Sequence, residues 1–232
     1  MRLEAIAHRG LHDVVPENTL EAFSRALDAG ADAIEMDVHA TADGIVVVHH
    51  DQTVSGVSEN PRLRSVPTDE LSIEELRSFD VGGGARVPEL SEVLRLMRDR
   101  ARAYVEIKGW GIEQQVVDSV LASGTDCAIH SFNHRAVSRV AQLAPEIPRG
   151  LLEQSPPHDP VAVLASAGAR DLWQHHRGID KRLVEAVHAA GGRVIAWTAN
   201  EAGEWARLAA LGVDAICADR VDLLVAWRNG SA

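Results

Sequence analysis

The chain has little to build a disulfide framework from and nothing built for a membrane. Two cysteines in 232 residues are too few for stapling. Cys127 and Cys217 each sit inside an apolar stretch, where buried free thiols are expected. No run approaches the roughly 20 apolar residues that a membrane span requires. The opening Met1-Arg2-Leu3-Glu4-Ala5-Ile6 reaches His8 too soon for a cleavable apolar segment. Basic residues are the minority, 23 Lys and Arg against 34 Asp and Glu, for a net charge of -11. That field repels phosphate backbones and anionic lipid, which argues against nucleic acid as a partner. An anion that does bind needs a local, compensated site, such as one with a metal. These absences lead to the expectation of a cytoplasmic protein with no membrane span. Nothing in the pattern sets an oligomeric state.

What is present is a repeating beat. A short apolar strand, a polar turn and a helix ending in Gly recur through the second half, with helix ends at Ser123-Gly124, Ala167-Gly168, Gly191-Gly192 and Leu211-Gly212. The strands are Cys127-Ala128-Ile129, Arg149-Gly150-Leu151-Leu152, Asp171-Leu172-Trp173, Arg193-Val194-Ile195-Ala196 and Asp214-Ala215-Ile216-Cys217. The first half adds Ala5-Ile6-Ala7, Ala33 to Val38 and Ala103 to Ile107. Asn18-Thr19-Leu20-Glu21 reads as a capping box opening a helix that stops at Gly30. Eight strand–helix units with no Gly-rich nucleotide loop after the first strand predict an α/β fold, a TIM (β/α)8 barrel. Residues 1–232 are read as a single barrel domain.

One segment breaks the beat. Ile45 to Val48 follows Val38 too closely for a parallel crossover, so it is predicted as an antiparallel hairpin strand. A loop over Thr41 to Gly44 puts His50 opposite Glu35 and His49 opposite Met36. Residues 52–88 then form an insertion after strand 2, with a short helix capped by Ser72 and Glu75. Gly82-Gly83-Gly84 reads as a flexible hinge before a helix beginning near Pro88.

Barrel enzymes carry their chemistry at the C-terminal ends of the strands. Those ends deliver His8-Arg9, then Glu35 and Asp37, then Glu106 and Lys108, and the hairpin adds His50-Asp51. Glu35 and Asp37 are two apart on a strand and share a side. Three carboxylates suit one hard divalent cation, Mg²⁺ or Ca²⁺, rather than zinc. Arg9 and Lys108 have no place in a pure cation site and point to a phosphate held beside the metal. His8 and His50 are candidate acid and base. Taken singly, each of these has a structural explanation, as a salt bridge, a turn or a solvated charge. Their convergence on one mouth is what points to function. His175 or His176 is a weaker candidate for substrate contact. His12, on the first loop, is within reach of the site but is expected to be exposed, and His39, His130, His134, His158 and His188 are expected to be structural.

Ala7-His8-Arg9-Gly10, Pro16-Glu17-Asn18-Thr19, Glu35-Met36-Asp37-Val38, Asp43-Gly44, His50-Asp51 and Val105-Glu106-Ile107-Lys108 resemble the glycerophosphodiester phosphodiesterase family. Ser131-Phe132, Ala196 to Asn200 and Ile216 to Asp219 are similar to its C-terminal half, so the resemblance runs from Ile6 to about Leu224. It implies metal-dependent hydrolysis of glycerophosphodiesters to an alcohol and sn-glycerol 3-phosphate. By that resemblance Glu35, Asp37 and Glu106 hold the metal, and His8 and His50 are catalytic. Arg9 and Lys108 bind phosphate, Glu17 orients Arg9 or His8, and Phe132 and Trp197 wall the glycerol pocket. Two departures stand out. Thr53 to Ser58 lacks the family's Arg-Thr-Thr stretch, and Ala218-Asp219-Arg220-Val221 replaces Thr-Asp-x-Pro, a change expected to alter only the entry to the last helix. A lysophospholipase D-like activity on acyl-bearing diesters is the alternative within the hydrolases. A non-catalytic barrel that binds phosphate esters is the alternative outside them.

Overall fold

Strands too short to bury a core alone, each followed by an amphipathic helix, must share one sheet with the helices packed outside it. The computed structural model describes residues 2–58 and 60–230. Its first half runs β1 (Glu4–His8), α1 (Leu20–Asp28), β2 (Ala33–Ala40), β3 (Val46–Val48), β4 (Val57–Ser58), α2 (Ile73–Leu76), β5 (Phe79–Asp80), α3 (Leu90–Met97) and β6 (Arg102–Ile107). Then come α4 (Glu113–Ser123), β7 (Cys127–Ser131), α5 (His134–Leu143), β8 (Arg149–Glu153) and α6 (Pro160–Ala167). The chain ends with β9 (Asp171–His175), α7 (Lys181–Ala189), β10 (Arg193–Trp197), α8 (Ala202–Leu211), β11 (Ala215–Ala218) and α9 (Val221–Arg228). β1 pairs in parallel with both β2 and β11, which closes β1, β2 and β6 to β11 into the expected eight-stranded barrel. Among the described residues no helix is long and apolar enough to cross a membrane.

Alternation sorts side chains between two cores. Outward residues such as Ile34, Val105, Ile129, Leu151 and Ile216 pack under the helices. Inward residues Ile6, Ala33, Tyr104, Ala128, Leu152, Trp173, Ile195, Ala215 and Cys217 fill the barrel. The small residues among them make room for Trp173, which is 1% exposed and meets Tyr104 edge-on at 5.0 Å. Gly150 belongs to the same accommodation, since a Cβ there would lie 2.7 Å from Trp173 Cδ1. Below this layer an ionic plug closes the N-terminal end. Arg193 pairs with Glu4, donates to the Tyr104 hydroxyl at 3.1 Å and approaches Asp171 at 3.8 Å.

Three local expectations are corrected. The hairpin register is shifted by one residue, with Val38 opposite Val48 and Ala40 opposite Val46. Thr41 N donates to Ile45 O and Gly44 takes φ +82°, which leaves a three-residue loop instead of four. The helix after Pro16 is capped by Thr19, whose side chain accepts from Ala22 N, and Asn18 is used elsewhere. The three glycines form a pinned turn rather than a loose hinge, because Gly82 N and Gly84 N both donate to Asp80 Oδ1. The helix that follows starts at Leu90. Residues 52–88 wrap a small core of Val54, Leu71, Leu76, Phe79 and Val87 against Val47 of β3, and the Ser72–Glu75 capping box is present.

Gly150→Ala is expected to destabilise the fold by about 1–3 kcal/mol through overpacking against Trp173. Urea denaturation followed by tryptophan fluorescence measures this, and an unchanged midpoint would contradict the packing account.

Candidate active site

β1 ends at His8, paired with Glu35 on β2. Past that point the chain must leave the strand at once. Arg9 takes φ +56° and Gly10 φ +86°, and a Cβ on Gly10 would lie 2.7 Å from the Ala22 backbone, so glycine is required there. Arg9 is held in its strained conformation from several sides. Its N–H donates to Glu35 O at 3.0 Å, its Nε lies 3.0 Å from Asp37 Oδ2, and its guanidinium donates to Glu17 Oε1 at 2.9 Å. Glu17 thus meets Arg9 and not His8. Asn18 donates Nδ2–H to Asp37 Oδ2 at 2.9 Å, which explains why it does not cap the helix.

β2 runs past the end of β1 and carries Glu35 and Asp37 inward, while β6 brings Glu106 alongside Asp37 in register. All three carboxylates are buried. Lys108 Nζ lies 2.8 Å from Glu106 Oε1 and 3.4 Å from Asp37 Oδ1. Burial raises the Asp37 carboxyl, but Arg9 and Lys108 outweigh it and hold it below its ordinary range. Glu35 is pushed well up by burial and by repulsion from Asp37 and Glu106. Glu106 is pushed up to about 7 by burial and Asp37. Three carboxylates against two cations leave the cluster one positive charge short.

The two candidate histidines are anchored alike. His8 Nδ1 is 2.6 Å from Asp219 Oδ1, and His50 Nδ1 is 2.8 Å from Asp51 Oδ1. Each contact leaves Nε2 as the free ring nitrogen. His50 lies just beyond the last ladder residue of β3, so the shifted register does not turn it away from the mouth. Its carbonyl accepts from His39 Nε2 at 3.1 Å, and His49 N donates to Asp37 O at 2.8 Å. Burial keeps His39 below its usual range, consistent with a neutral, hydrogen-bonding role.

His8, Arg9, Glu35, His50, Glu106, Lys108, Phe132 and Trp197 line one cavity of about 120 Å³. Phe132 and Trp197 meet edge-on at 5.4 Å and form its aromatic wall. Asp37 is not among the lining residues and sits against Arg9, Lys108 and Asn18. Three participants, His130, Asp219 and Asn18, were missed from sequence. His130 also lines the cavity, stacked on Trp173 at 4.2 Å and 3.8 Å from Glu35 Oε1, where burial lowers its pKa to about 3 and leaves it neutral. The alternation that points Ala128 inward was the available signal for it. Asp219 is not simply a helix entry but the partner of His8. Burial raises the Asp219 carboxyl, but the neighbouring imidazoles of His12 and His8 outweigh it and hold it well below the usual range. His12 faces Asp219 and is only 22% exposed, contrary to the expectation of a solvated side chain. Asn18 clamps Asp37. His176 is turned to Glu204 at 3.0 Å, and His175 meets the Trp197 edge, so neither lines the cavity.

The donor set fits a divalent cation. Ligand atoms of Glu35, Glu106 and His130 lie within 4.8 Å of one another. Both ring nitrogens of His130 are buried without a hydrogen-bond partner. Such atoms are costly unless something further binds them.

Residues 8–223 match the model of the glycerophosphoryl diester phosphodiesterase family. The chain belongs to that family. It is a phosphodiesterase of the glycerophosphodiester class, and the following relatives match it along nearly their whole lengths. A glycerophosphodiester phosphodiesterase of Caldanaerobacter subterraneus subsp. tengcongensis is 32% identical, covering 97% of each chain. A solved glycerophosphodiester phosphodiesterase of Agrobacterium tumefaciens is 29% identical, with a TM-score of 0.83 over 97% of this chain and 99% of that one. A phosphodiesterase of Oleispira antarctica, solved with the product sn-glycerol-3-phosphate, is 25% identical, with a TM-score of 0.88 over 97% and 96% of the two chains.

Cys217 lines the cavity floor, yet burial and the nearby Glu35 push its thiol well up, and burial pushes Cys127 up to about 12. Both thiols are free. Neither should react with a thiol-titrating disulfide reagent at pH 8 in the native protein, and both should react in denaturant. Rapid native labelling would contradict the burial.

Proposed function

We propose that this phosphodiesterase hydrolyses glycerophosphodiesters to an alcohol and sn-glycerol 3-phosphate, with one divalent cation, Mg²⁺ or Ca²⁺, and with His8 and His50 moving the protons. The observation that carries this reading is the meeting of two carboxylate-anchored imidazoles, two cations and the carboxylates of Glu35 and Glu106 around one small, aromatic-walled cavity. Glu35 and Glu106, with Asp37 behind them, would hold the cation. Bound there, it would supply positive charge against the non-bridging phosphate oxygens. A cation would also reverse the charge shortfall of the cluster and make the mouth attractive to an anionic diester.

Arg9 and Lys108 are suited to hold phosphate oxygens, and Glu17 keeps the guanidinium turned. One histidine takes the proton of the attacking oxygen through its free Nε2, and the other protonates the departing alcohol. An ionised Asp219 or Asp51 accepts from Nδ1–H, selects that tautomer and favours the imidazolium formed in turnover. Phe132 and Trp197 suit the carbon face of glycerol, and the glycerol 3-phosphate in the Oleispira enzyme supports a ligand of this size. One observation favours the acyl-bearing alternative, a ledge beside the mouth where Trp110 is 84% and Phe132 46% exposed.

Metal-stripped protein incubated with glycerophosphocholine should release glycerol 3-phosphate only when Mg²⁺ or Ca²⁺ is restored. Release confined to lysophosphatidylcholine would favour the alternative, and binding without turnover of either would make the protein a receptor. His8→Ala and His50→Ala should each lower kcat by about 10²–10⁴-fold with the fold intact. More than a tenth of wild-type kcat in both would end the acid–base assignment. Asp219→Asn should lower kcat by at least about 10²-fold, with little change in KM, through the wrong His8 tautomer. A change confined to KM would show that Asp219 does not act through His8.

A further inference from the structure

A second cluster of metal-ligating side chains lies apart from the buried carboxylates, where the end of β1, the loop after it and the end of β11 meet. His8 Nδ1 is 2.6 Å and His12 Nε2 3.7 Å from the same oxygen, Asp219 Oδ1. All three ligand atoms fall within 4.8 Å of one another. Asn200 holds the other carboxylate oxygen, donating Nδ2–H to Asp219 Oδ2 at 2.6 Å and accepting from Asp219 N at 2.9 Å. That grip turns Oδ1 towards the two imidazoles. His12 Nε2 is buried and has no hydrogen-bond partner. His12 and Asp219 do not line the substrate cavity, so the cluster shares only His8 with it.

We infer that His8, His12 and Asp219 form a site for a borderline transition-metal cation, Zn²⁺ being the fitting probe, and that filling this site stops turnover. Two imidazoles and one carboxylate suit zinc, whereas the carboxylate-rich set of Glu35, Glu106 and His130 suits a harder cation, so the two sites differ in donor type. Ligand bonds of about 2.0–2.1 Å in a tetrahedron place donors about 3.3 Å apart. The two histidine–carboxylate separations, 2.6 and 3.7 Å, bracket that value. A cation on His8 Nδ1 replaces the proton that Asp219 accepts, so the neutral ring carries its remaining proton on Nε2. The ring can then no longer accept a proton at the edge facing the cavity. The loss of turnover rests on the role proposed for His8, whereas the cation site does not.

The test is to titrate Zn²⁺ into the protein in excess Mg²⁺, following both the heat of binding and glycerophosphocholine hydrolysis. One equivalent should bind and turnover should fall more than about tenfold, with no relief from added Mg²⁺. His12→Ala, and His12→Gln as the size-matched variant, should keep Mg²⁺-supported turnover and need at least about tenfold more Zn²⁺ for both effects, as expected on losing one of three ligands. Zn²⁺ inhibition that Mg²⁺ relieves, and that both variants retain unchanged, would place the ion on the carboxylates and overturn the inference. So would the absence of binding heat. If no diester is turned over at all, the heat and its loss in the variants still decide the site, and the failure belongs to the hydrolytic reading.

Discussion

Glu35, Asp37 and Glu106 are buried side by side at one end of a barrel, and much of the surrounding structure serves to make that burial tolerable. Taking a carboxylate out of water is costly, and placing a second and third beside it adds repulsion. Arg9 and Lys108 are held against the trio by strand register and by a strained turn. Asn18 donates to the same cluster, at the expense of capping its helix. Asp37 keeps its charge because the cations stand next to it, whereas Glu35 and Glu106 are driven towards protonation.

The barrel interior makes this arrangement possible through unequal packing. Trp173 fills the centre because Gly150 and the alanines of neighbouring strands leave it space. His130 lies flat on the indole and stays neutral, which brings an uncharged nitrogen close to Glu35 without another cost in desolvation. Below, the Glu4–Arg193–Tyr104 plug seals the opposite end. The cavity is therefore open at the C-terminal ends of the strands, where the ionisable groups stand. The same floor buries Cys217 and removes a thiol from the chemistry it borders.

Much of this was legible along the chain, and for identifiable reasons. Strand–helix units with Gly at the helix ends announce a parallel barrel, and alternation places Glu35 with Asp37. Groups that lie within a few residues of a strand end could be assigned to the mouth without knowing which strands are neighbours. Partnerships between distant segments could not. His8 and Asp219 are 211 residues apart and meet only because β11 closes the barrel onto β1. Asp219 therefore read as the entry to a helix, and His12 as a solvated side chain. His130 carried the same alternation signal as its neighbours, but stood in no recognisable motif.

The sequence by itself determined the fold class, the end of the barrel that carries the chemistry and the residue types that collect there. Those properties follow from local periodicity and from charges at strand ends. Tertiary structure decided which charge meets which. A one-residue change in a hairpin loop moved the β2–β3 register without removing His50 from the site, because the strand stops before reaching it. Barrel closure decided that His8 would be held through Nδ1 by Asp219, whereas His50 is held the same way by its chain neighbour Asp51. The physical reason is that periodicity reports the direction of a side chain relative to its own strand. The energy of a buried charge depends on neighbours that only the closed barrel brings within a few ångströms.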